Sequence, residues 1–154
     1  MIAIKTILVP TDFSDYSKVS LPLAVDLAKK YGAKLVVLHV FDEELFAPIF
    51  FEAGGKAEEY FIRIRNDFDA AVEQFLDGID TESIEVESHL ANGTPFVEVI
   101  RFAREKGIDL IIMGTHGKSG LAHALLGGVA EKVVRKSPCP VMVVRHPELE
   151  FKMV

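Results

Sequence analysis

Apolar residues follow two alternating patterns along the chain: short unbroken runs, and stripes with helical spacing. The unbroken runs are rich in β-branched residues and are short enough for strands covered on both faces. They span residues 4–9, 34–41, 108–113 and 141–144. Residues 83–90 instead alternate apolar with polar positions, as a half-exposed strand near a sheet edge does. Together the runs predict five strands.

Stripes with a period of 3.6 residues lie between these runs and predict helices. The stripe over residues 23–31 is followed by Gly32, which can end a helix. Pro22 fits either the first turn of a helix that begins near Ser20 or a kink in one that begins near Asp15. Further helices are expected over residues 56–76, from a Thr94 N-cap with Pro95 in the first position, and over residues 128–136.

This alternation predicts an α/β fold, an open five-stranded parallel sheet with helices on both faces, formed by residues 1–154 as a single domain. Ligands of such sheets bind beyond the carboxyl ends of the strands, where the strand order reverses. Two strand ends carry suitable chemistry. The first strand ends in Pro10-Thr11-Asp12 and the fourth in Met113-Gly114.

Composition narrows the class of protein. The 154 residues are 49% apolar, enough for a buried core, and carry 17 basic and 23 acidic side chains for a net charge of −6. This charge argues against nucleic acid or an anionic membrane as partner, although a pocket for one phosphate group stays open. Cys139 is the only cysteine, which excludes an internal disulfide. No apolar run approaches the roughly 18 residues that span a bilayer and the start lacks a signal peptide, so we expect a cytoplasmic location.

Glycines are concentrated after the fourth strand. Gly114, Gly117 and Gly120 follow it, and Gly127 and Gly128 precede the last helix. Glycine permits positive φ and lets backbone N–H groups approach a ligand, and the helix N-terminus adds a positive dipole end. These features predict a phosphate site in which a side chain at Gly117 would occupy the space of the phosphates.

Two familiar phosphate loops do not fit this segment. A P-loop would need a glycine where the chain has Ile112. A Rossmann dinucleotide fingerprint would place its glycines after the first strand, where Pro10-Thr11-Asp12-Phe13 stands. A dinucleotide dehydrogenase is therefore disfavoured.

The spacing of Gly114, Gly117 and Gly127 resembles the nucleotide-binding motif of universal stress proteins of the ATP-binding type. The ordered segments Thr11-Asp12-Phe13-Ser14, Leu38-His39-Val40 and Ser137-Pro138-Cys139-Pro140-Val141 are also similar to that family, over about residues 3–145. One position departs from the pattern: Gly128 stands where the family has Ser or Thr. The missing hydroxyl puts affinity for the outer phosphates in doubt.

The resemblance implies a Rossmann-like, adenine nucleotide alpha hydrolase-like fold that binds ATP, ADP or AMP, with or without magnesium. Asp12 would lie beside the ribose, and the backbone of Val40 would meet the adenine. From the residues alone, Asp12 could instead be a helix N-cap. Loop residues such as Lys118 and His116 could simply be solvated. The implied nucleotide-binding residues are Pro10, Thr11, Asp12, Val40, Met113, Gly114, His116, Gly117, Lys118, Ser119, Gly127, Gly128 and Val129.

Three classes of function remain. The first is a nucleotide-binding regulatory or stress-response protein, the second a slow ATP-hydrolysing enzyme, and the third a dimeric interaction module that has lost its nucleotide. The resemblance also implies a homodimer through the last strand, at Val141, Met142, Val143, Val144 and Arg145. Residues 42–55 are rich in aromatic residues; they could fold over the adenine, present an apolar patch to a partner, or extend the helix over 56–76 onto the sheet.

Overall fold

The computed structural model describes residues 1–117 and 126–148. Its strands are β1 (Thr6–Pro10), β2 (Lys34–Phe41), β3 (Val86–Asn92), β4 (Leu110–Gly114) and β5 (Val141–Val144). Its helices are α1 (Asp15–Lys18), α2 (Leu21–Tyr31), α3 (Glu43–Glu52), α4 (Ala57–Leu76), α5 (Pro95–Glu105) and α6 (Gly128–Lys136).

All five strands are parallel and lie in the order β3-β2-β1-β4-β5, which confirms the predicted fold class. The chain builds outward from β1 to β2 and β3, then returns to place β4 and β5 on the other side of β1. The strand order therefore reverses between β1 and β4, whose carboxyl ends lie side by side. A doubly wound sheet opens its ligand cleft at this position.

Alternate residues of the central strands enter separate cores on the two faces of the sheet. Ile7 and Val9 of β1 belong to a core that α2 and Phe75 of α4 cover. Leu8 of β1 and Ile111 of β4 belong to the opposite core, which α5 and α6 cover. Because both faces of β1 and β4 are buried, the cleft between their ends stands on a rigid base.

Of the two helix starts that Pro22 allows, the structure has the one near Ser20. Ser20 precedes α2, and Pro22 lies in its first turn, where a missing N–H costs no helical hydrogen bond. Residues 15–18 form a separate single turn, α1, which Ser14 caps through its side chain. Strand β3 begins at Val86, three residues later than its alternating pattern predicts, and runs on to Asn92.

Residues 42–55 do not extend the following helix, so that expectation is wrong. They form a helix of their own, α3, which packs on α4. Gly54 separates the two helices because it adopts a φ of +87°, a conformation that favours glycine. Phe46 and Phe51 of α3 are 48% and 44% exposed, so part of its aromatic surface faces solvent.

Within residues 1–117 and 126–148, no helix has both the length and the apolar character needed to cross a membrane.

Candidate functional site

The first wall of the cleft is the turn that follows β1. Thr11 continues the strand pairing, because its N–H donates to the carbonyl of Leu38 at 2.9 Å. Its buried hydroxyl accepts from the N–H of Phe13 at 2.9 Å and shares a 2.7 Å hydrogen bond with the Ser17 hydroxyl. These bonds tie the turn to β2 and to α1.

Asp12 lies at the centre of this turn, and its carboxylate is held on one side. Its Oδ1 accepts from the N–H of Ser14 at 3.0 Å and from the Ser14 hydroxyl. Ser14, in turn, caps α1 by accepting from the N–H of Ser17 at 3.2 Å. Asp12 is therefore not the helix cap, since the turn places Ser14 at that position. Its second oxygen, Oδ2, is directed across the cleft toward Gly117.

Phe13 keeps the turn in an uncommon backbone conformation. Its φ is +62°, and it is the single non-glycine residue with positive φ in the described part of the chain. Such a conformation persists only where the surroundings enforce it. The ring of Phe13 lies 4.8 Å from that of His39 and 5.7 Å from that of Phe75, centroid to centroid, and this packing holds it in place.

The second wall is the segment that follows β4, and it is made mainly of backbone. Met113 is buried in the core, so its side chain supports the wall from below. The carbonyl of Thr115 accepts from the N–H of Gly127 at 2.7 Å, which brings the start of α6 against the end of β4.

None of Gly114, Gly117, Gly127 and Gly128 has a positive φ, and the first three serve close packing instead. A Cβ at Gly114 would collide with the carbonyl of Tyr16, and one at Gly117 with Oδ2 of Asp12. A Cβ at Gly127 would come within 3.1 Å of the Thr115 carbonyl. Gly117 thus makes room for Asp12 rather than only for a ligand.

The N-terminus of α6 opens toward solvent beside this wall. Gly127 is its N-cap, and the N–H of Glu131 is the one that bonds back to the Gly127 carbonyl at 2.9 Å. The N–H groups of Gly128 and Val129 therefore belong to the first turn, where helix geometry provides no internal acceptor. Among residues 1–117 and 126–148, no atom would lie within 4 Å of a Cβ at Gly128, so these donors are not covered by the described part of the chain. An anion fits this combination of donors, dipole and space.

His116 is buried, so the alternative of a solvated loop residue is wrong for it. It is 7% exposed, and its Nδ1 lies 2.9 Å from the Thr115 hydroxyl. A Cβ at Gly127 would lie 3.7 Å from the His116 ring, so this ring packs beside the start of α6. His116 supports the second wall from inside the protein.

The remaining predicted residues lie as follows. Pro10 ends β1 and is buried. Val40 is half-buried in β2, where its side chain packs on the core that α5 and α6 cover. That position is compatible with a contact made by the Val40 backbone alone. Lys118 and Ser119, together with Gly120, lie outside the described residues.

Sequence reasoning missed the hydrogen-bond network of the first wall. Ser14, Ser17 and His39 all contribute to it, yet none was among the predicted binding residues. The clustering of hydroxyl and carboxylate residues over positions 11–17 was the available signal. Cys139 is half-buried: it packs against the core that α5 and α6 cover, and burial raises the pKa of its thiol.

The last strand lies at an edge of the sheet and exposes apolar side chains to solvent. β5 pairs with β4 on one side, and Met142 and Val143 are 40% and 37% exposed. An edge of this kind is usually covered or paired.

Comparison with known proteins gives concordant results for sequence and fold. The model of the universal stress protein family matches residues 3–145. Universal stress protein MJ0531 of Methanocaldococcus jannaschii is 34% identical over 146 residues, which cover 95% of this chain and 85% of that protein. The solved structure of MJ0577, from the same organism, superposes with a TM-score of 0.74 at 30% identity, covering 96% of this chain and 99% of that one.

A crystal structure of a universal stress protein in complex with cAMP is also similar. Its TM-score is 0.64 at 26% identity, and the match covers 93% of this chain and 98% of that one.

Proposed function

The chain belongs to the universal stress protein family, and on that premise we propose that it binds ATP, ADP or AMP between the carboxyl ends of β1 and β4. One observation carries the proposal. The strand order reverses at this point, and there the Asp12 carboxylate and the N-terminus of α6 flank the same glycine-built gap. The relative whose structure contains cAMP gives independent support for an adenine nucleotide.

Each wall is suited to a different part of the nucleotide. A carboxylate accepts hydrogen bonds from vicinal hydroxyls, so Asp12 is assigned to the ribose. The donors of Gly128 and Val129 are assigned to the phosphates, together with Gly117, Lys118 and Ser119 from the segment between β4 and α6. The backbone of Val40, with Pro10 and Thr11, borders the adenine, and Met113, Gly114, His116 and Gly127 shape the floor.

Magnesium would enter with the phosphates of ATP. Among the described residues, no group of three or more His, Cys, Asp or Glu side chains is placed to hold a metal ion. The phosphate oxygens and water would therefore supply most ligands of the ion, as magnesium commonly accepts.

We assign the protein a regulatory or stress-response role in the cytoplasm, in which nucleotide occupancy rather than turnover carries the signal. Slow hydrolysis of ATP is the second candidate, and loss of nucleotide binding the third. The presence of Gly114, Gly117 and Gly127 at the spacing of the family's nucleotide-binding motif argues against the third candidate.

The test is the identity of the ligand that the protein carries from the cell. Freshly purified protein is denatured, and the released small molecules are identified by mass spectrometry. The proposal predicts an adenine nucleotide at a substantial fraction of one per chain. Absence of any nucleotide, together with no binding of added ATP, ADP or AMP, would contradict it.

The exposed apolar edge of β5 supports a homodimer in which Val141–Arg145 of two copies meet about a two-fold axis. Val143→Pro removes a backbone donor from this strand and should yield monomer or aggregate. Val134→Ser, at an exposed position of α6, is the appropriate control and should remain dimeric. Light scattering checks both, and a stable monomer for the unmodified protein at micromolar concentration would refute the dimer.

A further inference from the structure

His39 holds the backbone on both sides of Asp12. Its Nδ1 lies 2.8 Å from the carbonyl oxygen of Thr11, the residue before Asp12. Its ring packs at 4.8 Å from the ring of Phe13, the residue after Asp12. Since a carbonyl oxygen can only accept, the Nδ1 of His39 donates in this bond.

The same ring connects the turn to the surrounding scaffold. His39 is part of β2, which is paired with β1 on one side and with β3 on the other. Its ring stacks on that of Phe68 of α4, with an interplanar angle of 18° and 6.5 Å between centroids. The positive φ of Phe13 is thus maintained by a residue of the rigid sheet rather than by the turn alone.

The direction of the Asp12 carboxylate depends on this arrangement. Thr11 and Phe13 set the two peptide planes that flank Asp12. Ser14 binds Oδ1, and Oδ2 lies on the side of the cleft that faces Gly117. If the Thr11 carbonyl or the Phe13 ring shifted, Oδ2 would turn away from the position opposite Gly117. Because hydrogen bonds weaken steeply when their distance and angle depart from the ideal, such a shift would weaken a bond between Oδ2 and a ligand.

We propose that His39 is the positioning residue that directs Asp12 toward the ribose hydroxyls, and that it thereby determines how strongly the site distinguishes nucleotides by their sugar. The inference rests on the proposed nucleotide function. It predicts that His39 affects binding only through the ribose, although it does not itself touch the ligand.

The experiment compares ATP with 2′,3′-dideoxy-ATP by calorimetry, in the unmodified protein, in three variants of His39 and in one control variant. His39→Asn and His39→Leu form a matched pair, since the two side chains have similar shapes and only Asn retains a donor where Nδ1 stood. His39→Phe retains a ring without the donor. His89→Phe, on β3 outside the site, is the control.

The unmodified protein should prefer ATP by about tenfold or more, as expected when one hydrogen bond to a charged group is lost. His39→Leu and His39→Phe should lose about tenfold in ATP affinity with dideoxy-ATP nearly unchanged, so that the preference largely disappears. His39→Asn should keep most of it, and His89→Phe all of it. In an Asp12→Asn background, His39→Phe should add no further loss, because both changes remove the same interaction. Circular dichroism verifies that each variant is folded.

Retention of the full preference by the two donor-free variants would overturn the inference, and so would an unmodified protein that binds both nucleotides equally. Either result leaves nucleotide binding itself standing. Failure of the unmodified protein to bind any adenine nucleotide would instead overturn the proposed function, and the inference with it.

Discussion

The two walls of the cleft are built by opposite means. The wall after β1 consists of side chains whose hydroxyl and carboxylate groups bond to one another, with Thr11, Asp12 and Ser14 at its centre. The wall after β4 consists of backbone brought close by missing side chains, at Gly114, Gly117 and Gly127. We therefore expect nucleotide binding to weaken when side-chain atoms are removed from the first wall, and when they are added to the second.

The largest effect should come from adding a side chain to the second wall. In Gly117→Val the new Cβ collides with Oδ2 of Asp12, so one change disturbs both walls. We expect ATP affinity to fall by at least about a hundredfold, or roughly 3 kcal/mol, with the helix and strand content unchanged. Calorimetry and circular dichroism measure the two quantities. Ser83→Val, at the opposite end of the sheet, is the control, and unchanged affinity in Gly117→Val would refute this account of the wall.

The next effect should come from removing charge from the first wall. Asp12→Asn keeps the shape of the side chain but weakens its bond to a ribose hydroxyl, which should cost about 1.5–3 kcal/mol of ATP binding. The matched control is Asp15→Asn, an exposed carboxylate in α1. Equal affinities for Asp12→Asn and the unmodified protein would remove Asp12 from the site.

Thr11→Val tests whether the first wall also stabilises the fold. The change leaves the N–H of Phe13 and the hydroxyl of Ser17 short of a buried partner, at an expected cost of about 1–3 kcal/mol in the free energy of unfolding. Thr94→Val is the control, because Thr94 is exposed and its side chain makes no cap bond to α5. Urea unfolding that finds the two variants equally stable would show that the network adds no stability.

The smallest effect concerns Gly128, where the second wall has room to spare. Gly128→Ser places a hydroxyl in open space at the N-terminus of α6, within reach of outer phosphates. We expect a gain of a few-fold for ATP, roughly 0.5–1.5 kcal/mol, and a smaller one for AMP. An equal gain for both nucleotides would mean that the hydroxyl acts through the helix cap instead.

The contrast between the walls also explains what the sequence could and could not predict. Periodicity predicted the strands 34–41 and 141–144 and the helix 128–136 with their observed bounds, because their apolar residues follow a clear strand or helix pattern. It did not separate α3 from α4, since the aromatic residues of α3 have weak periodicity and the break depends on the conformation of Gly54.

For the site, the sequence indicated which glycines matter but not why. The collisions at Gly114 and Gly117 involve Tyr16 and Asp12, which are distant in sequence, so only the packed structure reveals them. Likewise, His39 matches a family segment, but its bond to Thr11 joins two strands and cannot be inferred from spacing. Long-range contacts of this kind determine the role of a residue beyond its type.

The most direct test of the central claim is a calorimetric titration of ATP into nucleotide-free protein. The account predicts saturable binding of one ATP per chain, with an affinity that ADP and AMP share in part because the ribose and adenine contacts are common to all three. No measurable heat and no saturation with any of the three nucleotides, for protein that circular dichroism shows to be folded, would contradict it.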